Sequence, residues 1–145
     1  MIVSSDLWLV DTSVWIHTLR RGAPYPLMLR IEDLLDAGQA AITEPVFYEL
    51  MVGTRNEKDL LRLKSRFQLL PMLEVNSHVW ERAYSLGPEL RRNGFTYPMA
   101  DLLIACAAKV YGAGLVHADS DYDTIARVLG LKAESFVELF RSPGT

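Results

Sequence analysis

The chain has 145 residues, of which 50% are hydrophobic and 23% are charged, so it is too apolar for a disordered protein and fits one domain spanning residues 1–145. Its single cysteine excludes an intramolecular disulfide, and its formal net charge of −3 excludes a protein that coats nucleic acid through bulk positive charge. No apolar segment reaches the ~20 residues that span a bilayer, and the N-terminus lacks the basic region of a signal peptide, so we expect a soluble, cytoplasmic protein with no membrane partner.

The first half of the chain predicts two strands and four helices. The apolar run 7–10 ends at Asp11 and is typical of a buried strand, and Asp11, Thr12 and Ser13 can each cap the helix that follows. Thr43 is predicted to cap a later helix, which has Pro45 in its first turn. The predicted strands are 7–10 and 40–42, and the predicted helices are 14–21, 27–37, 44–53 and 57–69.

The second half continues the alternation of strands and helices. Ser77 opens a predicted helix, and Pro98 begins the most apolar helix of the chain, which ends before Gly112. The predicted helices are 77–92, 98–111 and 122–129, and the predicted strands are 72–75, 115–117 and an edge strand at 137–140. Such alternation predicts an α/β fold with a parallel sheet covered on both faces, and ligands bind such sheets beyond the carboxyl ends of the strands.

Acidic residues occupy the matching positions. Asp11 directly follows the first predicted strand, Asp119 comes just after the strand 115–117, and Asp101 lies in the first turn of the apolar helix. Glu49 shares a helical face with the apolar Val46, so it points inward or along the edge of the core. Each acid taken alone also fits a helix cap, a favourable charge at a helix N-terminus or a partly exposed surface residue.

The set of four acids indicates a cation. Two carboxylates about 5 Å apart repel by about 3 kcal/mol at an effective dielectric near 20, so four acids in one place need protons or cations to compensate them. Oxygen ligands suit Mg²⁺ or Mn²⁺, and the three histidines are scattered at 17, 78 and 117 without zinc spacing. The sequence therefore predicts a site for Mg²⁺ or Mn²⁺.

Four segments resemble the motifs of PIN domains, in particular toxins of the VapC type. They are VDTSVWI at 10–16, TEPVFYELMVG at 43–53, MADLLIA at 99–105 and LVHADSDYD at 115–123, and together they span most of the chain in the family's order. Tyr122 stands where the family usually has phenylalanine, which is a mild departure. The resemblance implies a three-layer α/β/α sandwich with a short, mainly parallel central sheet.

The resemblance also implies an activity and partners, namely a metal-dependent ribonuclease that is inhibited by a cognate antitoxin and forms a homodimer. The family's acidic positions correspond to Asp11, Glu49, Asp101 and Asp119. Asp121 is either a fifth ligand or a cap of the next helix, and Ser13 matches a hydroxyl that supports the site. That the substrate is RNA rather than DNA follows from the resemblance alone.

The expected reaction is metal-assisted hydrolysis of an RNA phosphodiester bond, in which an ion activates water and stabilises the leaving oxygen. Asp11 and Asp101 are the first choices as direct ligands, while Glu49 and Asp119 complete the shell directly or through water. The sequence leaves one ion or two open.

Local charge, rather than net charge, must bind the substrate. The segment 55–66 carries a charge of +3, and Lys58, Arg62 and Arg66 recur at fourfold spacing on one helical face. We assign phosphate contacts to these three residues with Arg20 and Arg21, although a solvated surface helix explains the same pattern.

Residues near the motifs also suggest a docking groove. Trp15, Leu19, Phe47 and Met51 are candidates for an exposed groove that binds an amphipathic antitoxin helix, although aromatic residues at helical spacing are more often core.

Three other functions compete with this interpretation. A catalytically degenerate PIN domain would serve as an RNA- or protein-binding scaffold, which the retention of all four acids disfavours. Haloacid-dehalogenase-like enzymes need a second aspartate two residues after the first, but position 13 is serine. Response-regulator receivers usually carry an acidic pair at the end of the first strand, but Val10 precedes Asp11.

Overall fold

Four parallel strands form the central sheet in the order β2-β1-β3-β4. The computed structural model describes residues 6–141. The strands in this part of the chain are β1 (Trp8–Val10), β2 (Ala40–Ala41), β3 (Gly114–His117) and β4 (Ala133–Ser135). The helices are α1 (Thr12–Thr18), α2 (Tyr25–Asp36), α3 (Glu44–Val52), α4 (Glu57–Phe67), α5 (Ser77–Arg92), α6 (Met99–Tyr111) and α7 (Asp121–Leu129), followed by a 3-10 turn at Val137–Phe140. This architecture confirms the predicted α/β/α sandwich.

The two central strands place the site. β1 and β3 pair in register, with Leu9 opposite Leu115 and Val10 opposite Val116, and these four side chains are fully buried. Strands buried on both faces are continuously apolar, which explains the short apolar runs in the sequence. Because both strands run in the same direction, the residues that follow Val10 and His117 emerge at the same edge of the sheet.

A close contact between Trp8 and Gly114 supports the β1–β3 pair. A Cβ atom on Gly114 would lie only 2.5 Å from Cζ3 of the Trp8 indole, so no larger residue fits there without a shift. Lys132 and Arg30 place their cationic groups over the same indole, at 4.5 and 5.3 Å from a ring centroid. The glycine at the start of β3 is therefore required by packing.

The predicted edge strand at 137–140 is wrong. The fourth strand is Ala133–Ser135, and the amide of Phe136 donates to the carbonyl of His117 at 2.8 Å, at the point where β3 ends. Beyond that point β3 offers no further backbone partner, so the chain turns into the 3-10 segment, and Phe140 stacks on His17 with ring centroids 3.7 Å apart.

Two other expectations need smaller corrections. The predicted strand at 72–75 contributes one parallel bridge, between Ile42 and Met72. The Thr43 hydroxyl donates to the carbonyl of Leu73 at 2.6 Å, so this threonine satisfies a carbonyl of that segment and makes no side-chain bond to its own helix. Helix α1 ends at Thr18 rather than at 21, and the Thr18 hydroxyl donates to the carbonyl of Trp15.

Among residues 6–141, no helix has both the length and the apolar character to cross a membrane.

Candidate metal centre and adjoining cleft

Carboxyl groups from separate parts of the chain converge where β1 and β3 end. Asp11 follows β1, Asp119 follows β3, and Asp101 and Asp121 lie in the first turns of α6 and α7. Carboxylate oxygens of Asp101, Asp119 and Asp121 all lie within 4.8 Å of one another. These three acids are up to 20 residues apart in the sequence, and Asp11, whose charge also acts on Asp101, lies 90 residues before it.

Protein donors fix the Asp11 side chain, which is only 4% exposed. Its Oδ2 accepts hydrogen bonds from the backbone N of Ser13 at 3.0 Å and from the Ser13 hydroxyl at 2.6 Å, so Asp11 caps α1. Its Oδ1 accepts a hydrogen bond from the Tyr122 hydroxyl at 2.8 Å. The Ser13 hydroxyl in turn accepts from the backbone N of Ala118 at 3.0 Å, which ties the end of β1 to the end of β3.

Glu49 approaches the same region from α3. Its Oε1 accepts a hydrogen bond from the Thr12 hydroxyl at 2.6 Å, and the side chain is half-buried. A residue on α1, next to Asp11, therefore orients a carboxylate on another helix. The half-buried position agrees with the expectation that Glu49 points inward or along the edge of the core.

The electrostatics of the cluster favour a bound cation. Burial, together with the charges of Asp11, Asp119, Asp121 and Glu49, raises the pKa of Asp101 to about 7, and burial has the largest effect. The pKa of Asp121 is also raised, by burial and by Asp119. Arg30 pairs with Glu134 and Arg141 pairs with Glu138, so neither of these ion pairs involves an acid of the cluster.

These observations test whether the residues fit a divalent ion. The donor atoms are carboxylate oxygens, which are the hard ligands that Mg²⁺ and Mn²⁺ prefer, and three of the groups lie close enough to share one ion. Burial and the neighbouring carboxylates both oppose the ionisation of Asp101, which a bound cation would favour. The donor set fits Mg²⁺ or Mn²⁺.

Asp121 is not a side-chain cap of α7. Ser120 is the residue before that helix, and the backbone N of Asp121 donates to Oδ1 of Asp119 at 3.0 Å. Asp119 therefore supplies the bond that a capping residue would make, while the carboxyl group of Asp121 belongs to the acidic cluster.

Tyr122 is a residue of the site whose part in it the sequence did not reveal. Its side chain is fully buried, and its hydroxyl lies 2.8 Å from Oδ1 of Asp11 and 3.4 Å from Oδ1 of Asp101. Burial and these two carboxylates raise its pKa far above the usual value, so the hydroxyl keeps its proton and remains a donor. A tyrosine on the buried face of α7 was the available signal, because a buried phenol needs a hydrogen-bond partner.

His117 lies beside Tyr122, with ring centroids 5.2 Å apart. It is buried in β3, and burial lowers its pKa although nearby carboxylates, Asp123 foremost, act in the opposite direction. It is therefore a core histidine.

A cleft of about 580 Å³ adjoins the acids and shares Glu49 with them. The cleft is lined by Arg20, Arg62 and Arg66, which are predicted phosphate contacts. Arg55, for which the sequence predicted no such contact, lines it as well. Arg21 and Lys58 are exposed and lie outside the lining. The other lining residues are Ile16, Leu19, Leu50, Gly53, Thr54, Asp59 and Leu63.

The predicted docking residues divide into two groups. Trp15 is 4% exposed and packs edge-to-face on Phe67, with ring centroids 4.8 Å apart, so it belongs to the core, which is the alternative that the sequence left open. Leu19 is 44% exposed and lines the cleft. Phe47 and Met51 are partly buried.

A parallel α/β/α sandwich with acids at the carboxyl ends of its central strands defines a class of protein, and comparisons with known proteins identify it. The PIN domain family model matches residues 8–128, so this chain belongs to the PIN domain family. It is similar to Ribonuclease VapC11 of Mycobacterium tuberculosis, with 33% identity over 132 residues that cover 88% of this chain and 98% of that protein.

Solved structures show the same fold. The structure of VapBC2 from Rickettsia felis, bound to a DNA fragment from their promoter, matches with a TM-score of 0.75 and 21% identity, over 90% of this chain and 98% of that one. VapBC-5 from Mycobacterium tuberculosis, a member of the VapBC family of toxin-antitoxin systems, matches with a TM-score of 0.59 and 17% identity, over 90% and 97% of the two chains.

Proposed function

We propose that this protein is an endoribonuclease that uses Mg²⁺ or Mn²⁺ to hydrolyse phosphodiester bonds in RNA, and that it is the toxin of a toxin–antitoxin pair. The observation that carries the proposal is the convergence of Asp101, Asp119 and Asp121, with carboxylate oxygens within 4.8 Å of one another. The similarity to a protein named a ribonuclease, over nearly the full length of both chains, supports RNA as the substrate.

Asp11, Asp101 and Asp119 are the residues that we assign to the ion, with Asp121 as a further ligand and Glu49 binding directly or through water. The involvement of Asp121 is supported by its place in the cluster and by the capping bond that Asp119 makes in its stead. A divalent ion bound there would lower the pKa of a bound water and would stabilise the negative charge that develops on the phosphate.

The protein's own part in the reaction is to orient these groups. Ser13 and Tyr122 fix the carboxylate of Asp11, and Thr12 fixes Oε1 of Glu49. Because these donors are in place before substrate binds, little reorganisation is needed when charge develops on the phosphate.

The cleft next to Glu49 is the proposed path of the RNA strand. Arg20, Arg55, Arg62 and Arg66 give it positive charge within a chain of net charge −3, and arginine binds phosphate oxygens through paired N–H groups. The apolar side chains between them give the bases a surface to pack on. Arg21 and Lys58 are exposed beside this path and stay predicted phosphate contacts.

The proposed partners are a cognate antitoxin and a second copy of this chain. The antitoxin is supported by the similarity to VapBC-5, from a family of toxin-antitoxin systems, and Leu19 offers an exposed apolar contact at the cleft. We propose that the protein acts in the cytoplasm.

Cleavage assays with purified protein test this function. We expect wild type to cut RNA in the presence of Mn²⁺, EDTA to stop the reaction, and Asp101→Asn to lower the rate by at least about 100-fold, the upper end of what loss of an outer-shell partner causes. Asp36→Asn, at an exposed position on α2, is the matched control and should cleave like wild type.

The same assay distinguishes the scaffold alternative. A wild-type protein that binds RNA but leaves it intact at every Mn²⁺ and Mg²⁺ concentration would make this a degenerate PIN domain. Equal cleavage by wild type and folded Asp101→Asn would contradict the assigned chemistry, because the rate would then not depend on the central acid of the cluster.

A further inference from the structure

Tyr122 connects two acids that come from different segments of the chain. Its hydroxyl lies 2.8 Å from Oδ1 of Asp11, which is 111 residues away, and 3.4 Å from Oδ1 of Asp101, which is 21 residues away. The ring is fully buried beside His117, so the hydroxyl has no freedom to turn toward solvent. The shorter contact has the usual length of an O–H···O hydrogen bond.

The hydrogen bonds to Asp11 leave one open position on its carboxylate. An ionised carboxylate has two oxygens with about two lone-pair sites each. Oδ2 accepts from the backbone N and from the hydroxyl of Ser13, which occupies both of its sites. Oδ1 accepts from Tyr122, so one site remains, and it is on the oxygen that Tyr122 contacts.

We propose that Tyr122 is a positioning residue for the divalent ion, since its hydroxyl holds Oδ1 of Asp11 beside Oδ1 of Asp101 and leaves Asp11 a single oxygen site with which to bind the ion. The inference rests on the proposed function, because it presupposes a divalent ion among these acids. It goes beyond that function in assigning monodentate binding to Asp11 and in naming the residue that enforces it.

A purely structural role for Tyr122 has different consequences. The ring alone fills the space on the buried face of α7, and phenylalanine, which the family usually has there, would fill it equally. The hydroxyl adds a buried polar group whose partners are two carboxylates of the cluster. Removing it therefore changes the binding of the ion if Tyr122 positions Asp11, and changes only the stability of the fold if it does not.

Mn²⁺ binding to the metal-free protein measures this difference without reference to catalysis. Electron paramagnetic resonance of free Mn²⁺ gives the dissociation constant for wild type, Tyr122→Phe and Tyr111→Phe. The last is a matched control, because the Tyr111 hydroxyl donates to the carbonyl of Glu74 at 2.7 Å, outside the cluster.

We expect Tyr122→Phe to weaken Mn²⁺ binding by about tenfold or more, as is typical when a partner of a metal ligand is removed, and Tyr111→Phe to stay within about twofold of wild type. Thermal unfolding in EDTA shows that both variants are folded. If folded Tyr122→Phe binds Mn²⁺ within about twofold of the wild-type affinity, the inference is overturned.

Proton NMR of wild type provides a second measurement that needs no folded variant. The buried hydroxyl proton of Tyr122 should exchange slowly enough to give a resonance, and Mg²⁺ should shift it because the ion binds the oxygen that accepts this proton. A resonance that stays unmoved at saturating Mg²⁺ would overturn the inference.

Failure of the inference and failure of the proposed function have different signatures. Wild type that binds neither Mn²⁺ nor Mg²⁺ would contradict the proposed function and, with it, any role of Tyr122 toward an ion. Wild type that binds and cleaves RNA, together with unchanged Mn²⁺ affinity in Tyr122→Phe, would overturn the role of Tyr122 alone.

Discussion

Replacing Asp101 by asparagine should stabilise the metal-free protein, although it removes a central residue of the site. Folding raises the pKa of this carboxyl from an ordinary value of about 4 to about 7. Between these values the folded protein holds a proton that the unfolded chain has released, so the free energy of unfolding falls as pH rises through this window. Asparagine is neutral and escapes this penalty.

The size of the effect follows from the shift in pKa. Each pH unit between about 4 and 7 costs about 1.4 kcal/mol, which gives about 4 kcal/mol above pH 7 for a fully buried group. Asp101 is half-buried, and solvent screening reduces this figure to about 2 kcal/mol. In EDTA at pH 7.5 we therefore expect Asp101→Asn to be more stable than wild type by about 2 kcal/mol, with a smaller difference at about pH 5.

Urea denaturation followed by circular dichroism measures these stabilities, with Asp36→Asn as the control for an exposed acid on α2. Mn²⁺ at about 100 times its dissociation constant should stabilise wild type by about 2.7 kcal/mol and reverse the order of the two proteins. Equal stabilities of wild type and Asp101→Asn in EDTA across this pH range would refute the argument, since burial and the neighbouring acids would then impose no penalty on the charged carboxylate for a cation to relieve.

Three further predictions concern packing, orientation and substrate binding. Gly114→Ala should lower the free energy of unfolding by about 1–3 kcal/mol, because the added Cβ would collide with the indole of Trp8. Gly87→Ala is the control, because its added Cβ meets only ordinary contacts in α5, and it should be neutral or stabilising. Thermal unfolding of the two variants and wild type measures these differences in stability. Thr12→Val removes the donor to Glu49 and should slow RNA cleavage by about tenfold with unchanged far-UV circular dichroism; unchanged rates would contradict the orienting role. Arg62→Ala should weaken RNA binding, which fluorescence anisotropy in EDTA measures. If Arg62 contacts one phosphate, the substitution should reduce the slope of log affinity against log salt concentration by about 0.7. An unchanged slope would mean that the RNA does not bind along this cleft.

Local patterns in the sequence predicted much of the fold. The helix at Ser77–Arg92 has the predicted bounds, and the helix Met99–Tyr111 begins one residue after the predicted Pro98 and ends before Gly112 as expected. Such limits depend on residues next to one another in the chain, because proline and glycine act on their own backbone torsions. Helical periodicity and the positions of proline and glycine therefore predict where these helices begin and end without knowledge of distant residues.

The position of the candidate site was also predictable. Asp11 and Asp119 follow the two apolar runs that become β1 and β3, and parallel strands end at the same edge of a sheet. That rule requires only the order of the elements, so the sequence alone predicts that these acids meet. It does not predict which oxygen accepts which hydrogen bond.

The tertiary structure decided the features that depend on two distant partners at once. The bond from Tyr122 to Asp11 and the bond from Thr12 to Glu49 join residues 111 and 37 positions apart, and neither partner's neighbours signal it. The choice of Ala133–Ser135 as the fourth strand likewise depends on where β3 ends. By itself the sequence determined the helices, the apolar strands and the edge of the sheet where the acids gather, because these follow from local torsions and hydrophobic periodicity. Only the tertiary structure decided which individual atoms pair in the site, because a hydrogen bond requires both groups to be placed within about 3 Å of each other.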